Sequence, residues 1–293
     1  MGFVEWTWRY PYPMVMSAEG KAGLERAYKH VQQFSSIVAG FDESGKETVR
    51  GAGCTFVGRG RANLIATAGH VIAADNETPP VKGFFYATRP GFSRTAYRFV
   101  HVDQRGGRGA ADEQWDLACA LAHPKLLTEI GRSALPLHRC ERTWPANPGS
   151  VVLLQGTSAD LIVAGVHDDG LPTRTLYENF CLSRVMDPKV VKGAPVNDGI
   201  HFFIEHEPIM MSFDDEPHRT PTAVGLSGGG VWAINRVEGR PWSEADISLV
   251  GIIRDTLEVA SYRWIRATRV AHWMDFMNDC LGRWAAFPKP SGS

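Results

Sequence analysis

From about residue 36 the chain breaks into short apolar runs separated by glycine, proline, asparagine and aspartate. A first series reads "SSIVAGF", "GAGCTFVG", "NLIATAGHVI", "FFYATR", "YRFVHV" and "DLACALA". A second reads "SVVLLQG", "LIVAGVHD", "TLYENFCLSRV", "IHFFIEHE", "GGVWAIN", "SLVGIIRD" and "SYRWIRA". Runs this short, with turn formers between them, fit antiparallel strands that close into barrels or stack as a sandwich. The stretch 131–149, "GRSALPLHRCERTWPANPG", is rich in proline and turn formers and reads as a connector. The expected organisation is a β-lobe over 36–145 and a second over 146–293. Residues 1–35 form an extension in front of them. In that extension, Leu24, Ala27, Tyr28, Val31 and Phe34 recur at helical spacing and predict an amphipathic helix over 18–35. Val270, Trp273, Phe276 and Met277 predict a second helix near the C-terminus, with Gly282 as its stop.

Composition narrows the function classes. The chain has 293 residues, 44% of them hydrophobic, enough for a sizeable core. Its formal net charge is −1, which gives no basic footprint for nucleic acid. No apolar run approaches the ~18 residues that span a bilayer. The opening "MGFVEWTWRYPYPMVMSAEGK" has neither the basic region nor the apolar core of a secretory leader, and it lacks the hydroxyl residue of an acylation signal. The expectation is a soluble cytoplasmic protein without nucleic-acid or membrane partners. Five cysteines stand at 54, 119, 140, 181 and 280, without a C-x-x-C pair. They read as buried free thiols in a reducing compartment. His201 and His206 would point to opposite faces of a strand, so no metal and no other cofactor is expected.

The stretch "TAVGLSGGGVWAI", 222–234, places Ser227 among glycines between two apolar runs. Two chemistries fit. Gly225-Leu226-Ser227-Gly228-Gly229 matches the G-x-S-x-G elbow, which needs a helix after the serine and then an acid and a histidine downstream. Three glycines followed by Val-Trp-Ala-Ile favour a strand instead. The downstream candidates Asp246, Asp255 and His272 are poor ones, since His272 lies inside the C-terminal helical pattern. The other chemistry needs histidine, then acid, then serine. "NLIATAGHVI" supplies His70 behind an apolar run, and "EQWDLACALA" supplies Asp116 at the head of the next.

In these three motifs the chain resembles the trypsin/chymotrypsin-like serine proteases, which carry T-A-[AG]-H, an acid before a D-[LI]-A-L type strand, and G-x-S-G-G. The resemblance covers roughly 36–284. It implies an all-β, two-lobed antiparallel β-barrel chymotrypsin-like fold and a serine endopeptidase acting on a protein or peptide. Ser227 would be the nucleophile, His70 the general base and acid, and Asp116 the group that orients the imidazole. The backbone N–H groups of Gly225 and Ser227 would form the oxyanion hole. Asp112 is a rival acid in the turn-like stretch just upstream.

The chain also departs from the secreted members. Val71 follows His70, so Cys54 lacks the partner it usually bridges. Leu226 precedes the nucleophile where secreted zymogens place an aspartate that captures a new N-terminal ammonium. "SIVAG", 36–40, therefore reads as a plain first strand, and control would come from a regulatory protein partner, a loop or the N-terminal segment. Gly230 stands where proline usually follows S-G-G. By the same resemblance, Pro221, Thr222, Ile253, Arg254, Thr256 and Ala260 would line a small, mainly apolar specificity pocket without an acid for Arg or Lys. Arg254 could pair with Asp255, with a substrate acid, or reach solvent. A protease-fold scaffold with an idle triad and an elbow-type esterase remain as alternatives.

Overall fold

Helix formation begins where Ser17 supplies a cap. Its side chain accepts from Gly20 N at 3.1 Å, and Glu19 follows in the first turn of α1 (Ala18–Gln32). Leu24, Ala27, Tyr28 and Val31 turn one face of α1 inward, and Phe34 is buried just beyond it. The helix stops three residues short of the expected end because Ser35 already starts a strand; its hydroxyl donates to Val31 O at 3.1 Å. The computed structural model describes residues 7–11, 17–41, 47–72, 83–86, 101–106, 115–122, 124–166, 172–191, 197–207, 209–211, 217–220, 222–235, 243–259 and 262–285.

Ahead of α1 lies β1 (Thr7–Pro11). After it come β2 (Ser35–Phe41), β3 (Glu47–Arg59), β4 (Ala62–Ala68), the short helix α2 (Gly69–Ile72), β5 (Gly83–Tyr86), β6 (Val102–Arg105), β7 (Leu117–Leu121), α3 (Pro124–Glu129) and β8 (Leu135–Pro136). The first sheet runs β5-β2-β3-β4-β7-β6, antiparallel throughout, with β8 added in parallel to β3. The second series comprises β9 (Val151–Val166), β10 (Pro172–Arg184), β11 (His201–Glu205), β12 (Ile209–Met211), β13 (Pro217–Arg219), β14 (Gly230–Ile234), β15 (Ile247–Val259) and β16 (Tyr262–Arg269), then the helix α4 (Val270–Ala285). Its strands β11-β16-β15-β14-β9-β10 are antiparallel, and a bridge between Val185 and Ile204 ties β10 back to β11. β1 pairs in parallel with β10 and antiparallel with β12, so Thr7–Pro11 is a strand of the second sheet. This is the two-lobed antiparallel β-barrel architecture of the chymotrypsin-like fold, with helices from both ends of the chain.

One boundary differs from the sequence pattern. The runs "SVVLLQG" and "LIVAGVHD" belong to a single strand, β9. Buried Thr157 and Ser158 interrupt the apolar pattern, and the pairing with β10 shifts register just beyond them, between Thr157/Glu178 and Ile162/Leu176; Ser158 Oγ is satisfied by donating to Thr222 O at 2.7 Å. The connector 131–149 likewise holds β8 and a short 3-10 turn, Leu137–Arg139.

Strand alternation explains where the core sits. On β7, Ala118 and Ala120 pack with Phe56, Ile65 and Val71 in the first lobe, while Leu117 and Cys119 face the other way. On β14, Val231 and Ala233 pack with Leu154, Phe202 and Ile253 in the second lobe, while Trp232 faces out of it. The outward residues of both sheets join a third apolar cluster with Tyr28 and Val31 of α1 and Trp273, Met277 and Cys280 of α4. Tyr28 meets Phe180 edge-on at 4.2 Å. All five cysteines are buried. Among the described residues no helix is long and apolar enough to cross a membrane.

Trp273 is the pin of this third cluster. It is fully buried, and its Nε1 donates to Ala118 O on β7 at 3.0 Å. Trp273→Ala removes a large buried ring and leaves that carbonyl without its donor. The expected loss is about 3–5 kcal/mol of stability, read from denaturant unfolding of the variant against the parent chain.

Candidate active site

His70 stands on α2, just past the end of β4, and Asp116 stands immediately before β7. β4 and β7 are adjacent antiparallel strands, with Ala68 opposite Leu117. The register therefore brings the two residues side by side. Asp116 holds His70 twice. The His70 backbone N–H donates to Oδ1 at 2.8 Å, and Nδ1 lies 2.7 Å from Oδ2. A carboxylate only accepts, so this contact places the imidazole proton on Nδ1 and leaves Nε2 as the basic nitrogen. The His70 side chain keeps 26% of its surface exposed, and that of Asp116 only 7%. The buried group thus orients the accessible one.

Asp116 occupies a backbone conformation with φ +40°, uncommon for a residue with a side chain. Its neighbours hold it there. The Trp115 carbonyl accepts from Thr268 Oγ1 at 3.2 Å. The Trp115 ring lies under the Arg105 guanidinium, 4.3 Å from the centroid, and meets His272 edge-on at 4.5 Å. His272 itself bonds Gly199 O at 2.7 Å, as fits a helix histidine that ties down a neighbouring turn.

Ser227 lies in a loop wedged between the two sheets. Its carbonyl accepts from Gly53 N of β3 at 2.9 Å. Gly228 N donates to Ile253 O at 2.7 Å, and Ile253 N donates to Gly229 O at 2.8 Å. The loop is thereby bonded to both sheets at three consecutive residues. A Cβ on Gly53 would come within 2.6 Å of Gly229 N, so this approach requires glycine. A Cβ on Gly228 would collide with Thr67 Oγ1 and Gly53 O and sit 3.2 Å from Ala68 N, two residues before His70. The serine loop is therefore packed against the very segment that carries the histidine. Leu226 is buried among Ala223, Val231 and Ile253. After the glycines the chain enters strand β14, in place of the helix that an elbow serine requires.

Arg254 and Asp255 of β15 complete the surroundings. Arg254 Nε lies 3.8 Å from Asp116 Oδ2 and 3.6 Å from Asp255 Oδ2. Asp255 in turn takes a two-pronged contact from Arg266, at 2.9 and 2.5 Å. Sequence reasoning placed Arg254 among pocket residues and missed its contact with Asp116. No motif signals it, because the contact depends on a bulge in β15 between Ile253 and Asp255. Of the other pocket residues, Ile253 is buried in the second-lobe core, Thr222 is half-buried and Thr256 is exposed. Pro221, Ala260 and the rival acid Asp112 lie outside the described residues. Among the described residues no group of three or more His, Cys, Asp and Glu could hold a metal ion.

Two solved structures of proteases are similar to this chain. A thermostable serine protease, AL20, from an extremophilic microorganism is 12% identical over 86% of this chain and 99% of its own, with a TM-score of 0.48. The protease Anisep from Arthrobacter nicotinovorans is 13% identical over 81% of this chain and 90% of its own, with a TM-score of 0.45. No family model and no curated protein matches the chain.

Two glycines separate backbone strain from crowding. Gly228 has φ +80° and a filled neighbourhood; Gly60 has φ +60° and open space around it. Gly60→Ala meets only the backbone term, about 1–2 kcal/mol. Gly228→Ala meets the same term and a collision with β3 and β4 as well. Thermal unfolding of the two variants is expected to show a distinctly larger loss for Gly228→Ala.

Proposed function

We propose that this chain is a serine endopeptidase that cleaves peptide bonds of a protein or peptide substrate through Ser227, His70 and Asp116. The observation that carries this reading is the doubled His70–Asp116 contact, 2.7 and 2.8 Å, beside the loop that bears Ser227. A serine hydroxyl is a weak nucleophile at neutral pH and needs a base. His70 Nε2 takes the hydroxyl proton as Ser227 Oγ attacks the scissile carbonyl, then returns it to the leaving amine. Asp116 fixes the tautomer and stabilises the imidazolium. Water repeats the sequence on the acyl-enzyme and frees the acid product.

The carbonyl oxygen that becomes an oxyanion needs donors. Leu226 N bonds Ala223 O at 3.1 Å, Gly228 N bonds Ile253 O at 2.7 Å and Gly229 N bonds Leu226 O at 3.0 Å. The N–H groups of Gly225 and Ser227 are the pair proposed for the oxyanion, with Gly225 at φ +97° turning the chain between them. Among the described residues proposed for the specificity pocket, Thr222 is half-buried and Thr256 exposed.

Activation by clipping finds no support in the surroundings of Leu226. Leu226, the residue before Ser227, offers no carboxylate to a new N-terminal ammonium at Ile37, and its side chain is buried in an apolar cluster where an unpaired ammonium would be costly. Ile37 is also buried in β2, opposite Gly53. The uncleaved chain is therefore the competent form. Buried free thiols favour a reducing compartment such as the cytoplasm.

The test is steady-state kinetics on a peptide library. Ser227→Ala is expected to keep its unfolding transition and lose hydrolysis. Asp116→Asn should lower kcat by about 10⁴-fold through the wrong imidazole tautomer, while Asp112→Asn leaves kcat unchanged. Hydrolysis retained by a clean Ser227→Ala preparation contradicts the assignment.

A further inference from the structure

Arg254 sits awkwardly for a triad. Its guanidinium is buried, with 7% of the side chain exposed, and its Nε lies 3.8 Å from Asp116 Oδ2. That is the same oxygen that faces His70 Nδ1 at 2.7 Å. A cation there competes with the imidazole for the carboxylate and opposes the positive charge that His70 gains during the reaction. Something must offset it. Asp255 stands on the other side of the guanidinium, 3.6 Å from the same Nε and slightly nearer than Asp116. Asp255 is itself held in place, gripped by Arg266 at both carboxylate oxygens. The result is a row of alternating charge, Arg266, Asp255, Arg254 and Asp116, that ends at His70.

The backbone fixes the row. The β15–β16 register slips between Ile253/Ala267 and Asp255/Arg266, so Arg254 is the bulged residue, and a bulge redirects a side chain out of the regular alternation. Ile253, just before it, is bonded through both N and O to the glycines after Ser227. The bulge therefore sits at a fixed height against the serine loop, and Arg254 reaches across from the second sheet to Asp116 on the first.

We infer that Asp255 is a positioning residue of this site: it draws the Arg254 guanidinium off Asp116, so that the Asp116 carboxylate remains available to His70. The inference rests on the reading of His70, Asp116 and Ser227 as a working triad. Without the Asp255 charge, two buried guanidinium groups, Arg254 and Arg266, lose their shared counter-ion. Arg254 then turns wholly to Asp116.

Kinetics of the full chain, with active sites counted by a fluorophosphonate probe, tests this. Asp255→Asn should lower kcat per labelled site roughly 10- to 100-fold, the range for groups that orient a functional residue from behind, with KM unchanged. Asp255→Glu should restore most of the loss. Adding Arg254→Met to Asp255→Asn should also recover kcat, because the cation that Asp255 restrains is then gone. A kcat for Asp255→Asn equal to that of the parent overturns the inference. So does a change confined to KM, or a double variant no faster than Asp255→Asn alone. A parent chain that neither labels nor hydrolyses overturns the triad reading and this inference together; a working parent with an unaffected Asp255→Asn overturns the inference alone.

Discussion

The two sheets meet at residues 227–229, and they can do so only because the chain there is almost bare backbone. Ser227 O, Gly228 N and Gly229 O are each bonded to a strand, the first to β3 and the other two to β15. Gly53 on β3 and Gly229 in the loop face each other without side chains between them. Buried Gln155 adds to the junction: its Nε2 donates to Ser36 O and its Oε1 accepts from Gly230 N, each at 3.2 Å. The serine is thus placed by the same contacts that join the lobes. A displacement of either sheet would move it relative to His70, which hangs from β4 next door.

The charges around this junction follow from its burial. Asp116, Arg254 and Arg266 are all nearly inaccessible, and isolated charges in such a place are costly. Pairing them in a row lowers that cost and also fixes their order. Only Asp255, with 31% of its side chain exposed, touches solvent substantially. The row therefore has one point at which water or a binding partner can alter it. The apolar side of the molecule is organised separately. α1 and α4 cover the outward faces of both sheets and join them in one apolar cluster.

Much of this was legible in the sequence because it is local. Val-Trp-Ala-Ile after three glycines read as a strand, and β14 is one. The spacing of Leu24, Tyr28 and Val31, and of Trp273 and Met277, read as helices, and both pack by those residues. His70 and Asp116 were marked by the small-residue turn and the strand beside them, and the β4–β7 register brings them together. The features that were not legible depend on contacts between distant segments. The run of β9 through Thr157 and Ser158 needs the Thr222 carbonyl to satisfy Ser158. The placement of Arg254 needs a bulge whose register is set by β16. The insertion of β1 between β10 and β12 has no periodicity of its own, since a five-residue strand offers too few positions to show one.

The central proposal is that Ser227 is a nucleophile made reactive by His70 and Asp116 in the uncleaved chain. Intact-mass measurement of the fluorophosphonate-treated protein, followed by peptide mapping, tests this most directly. One adduct per full-length chain is expected, located on Ser227 and lost in His70→Ala. Absence of an adduct, an adduct that maps to another residue, or labelling confined to chains beginning at Ile37 would contradict it.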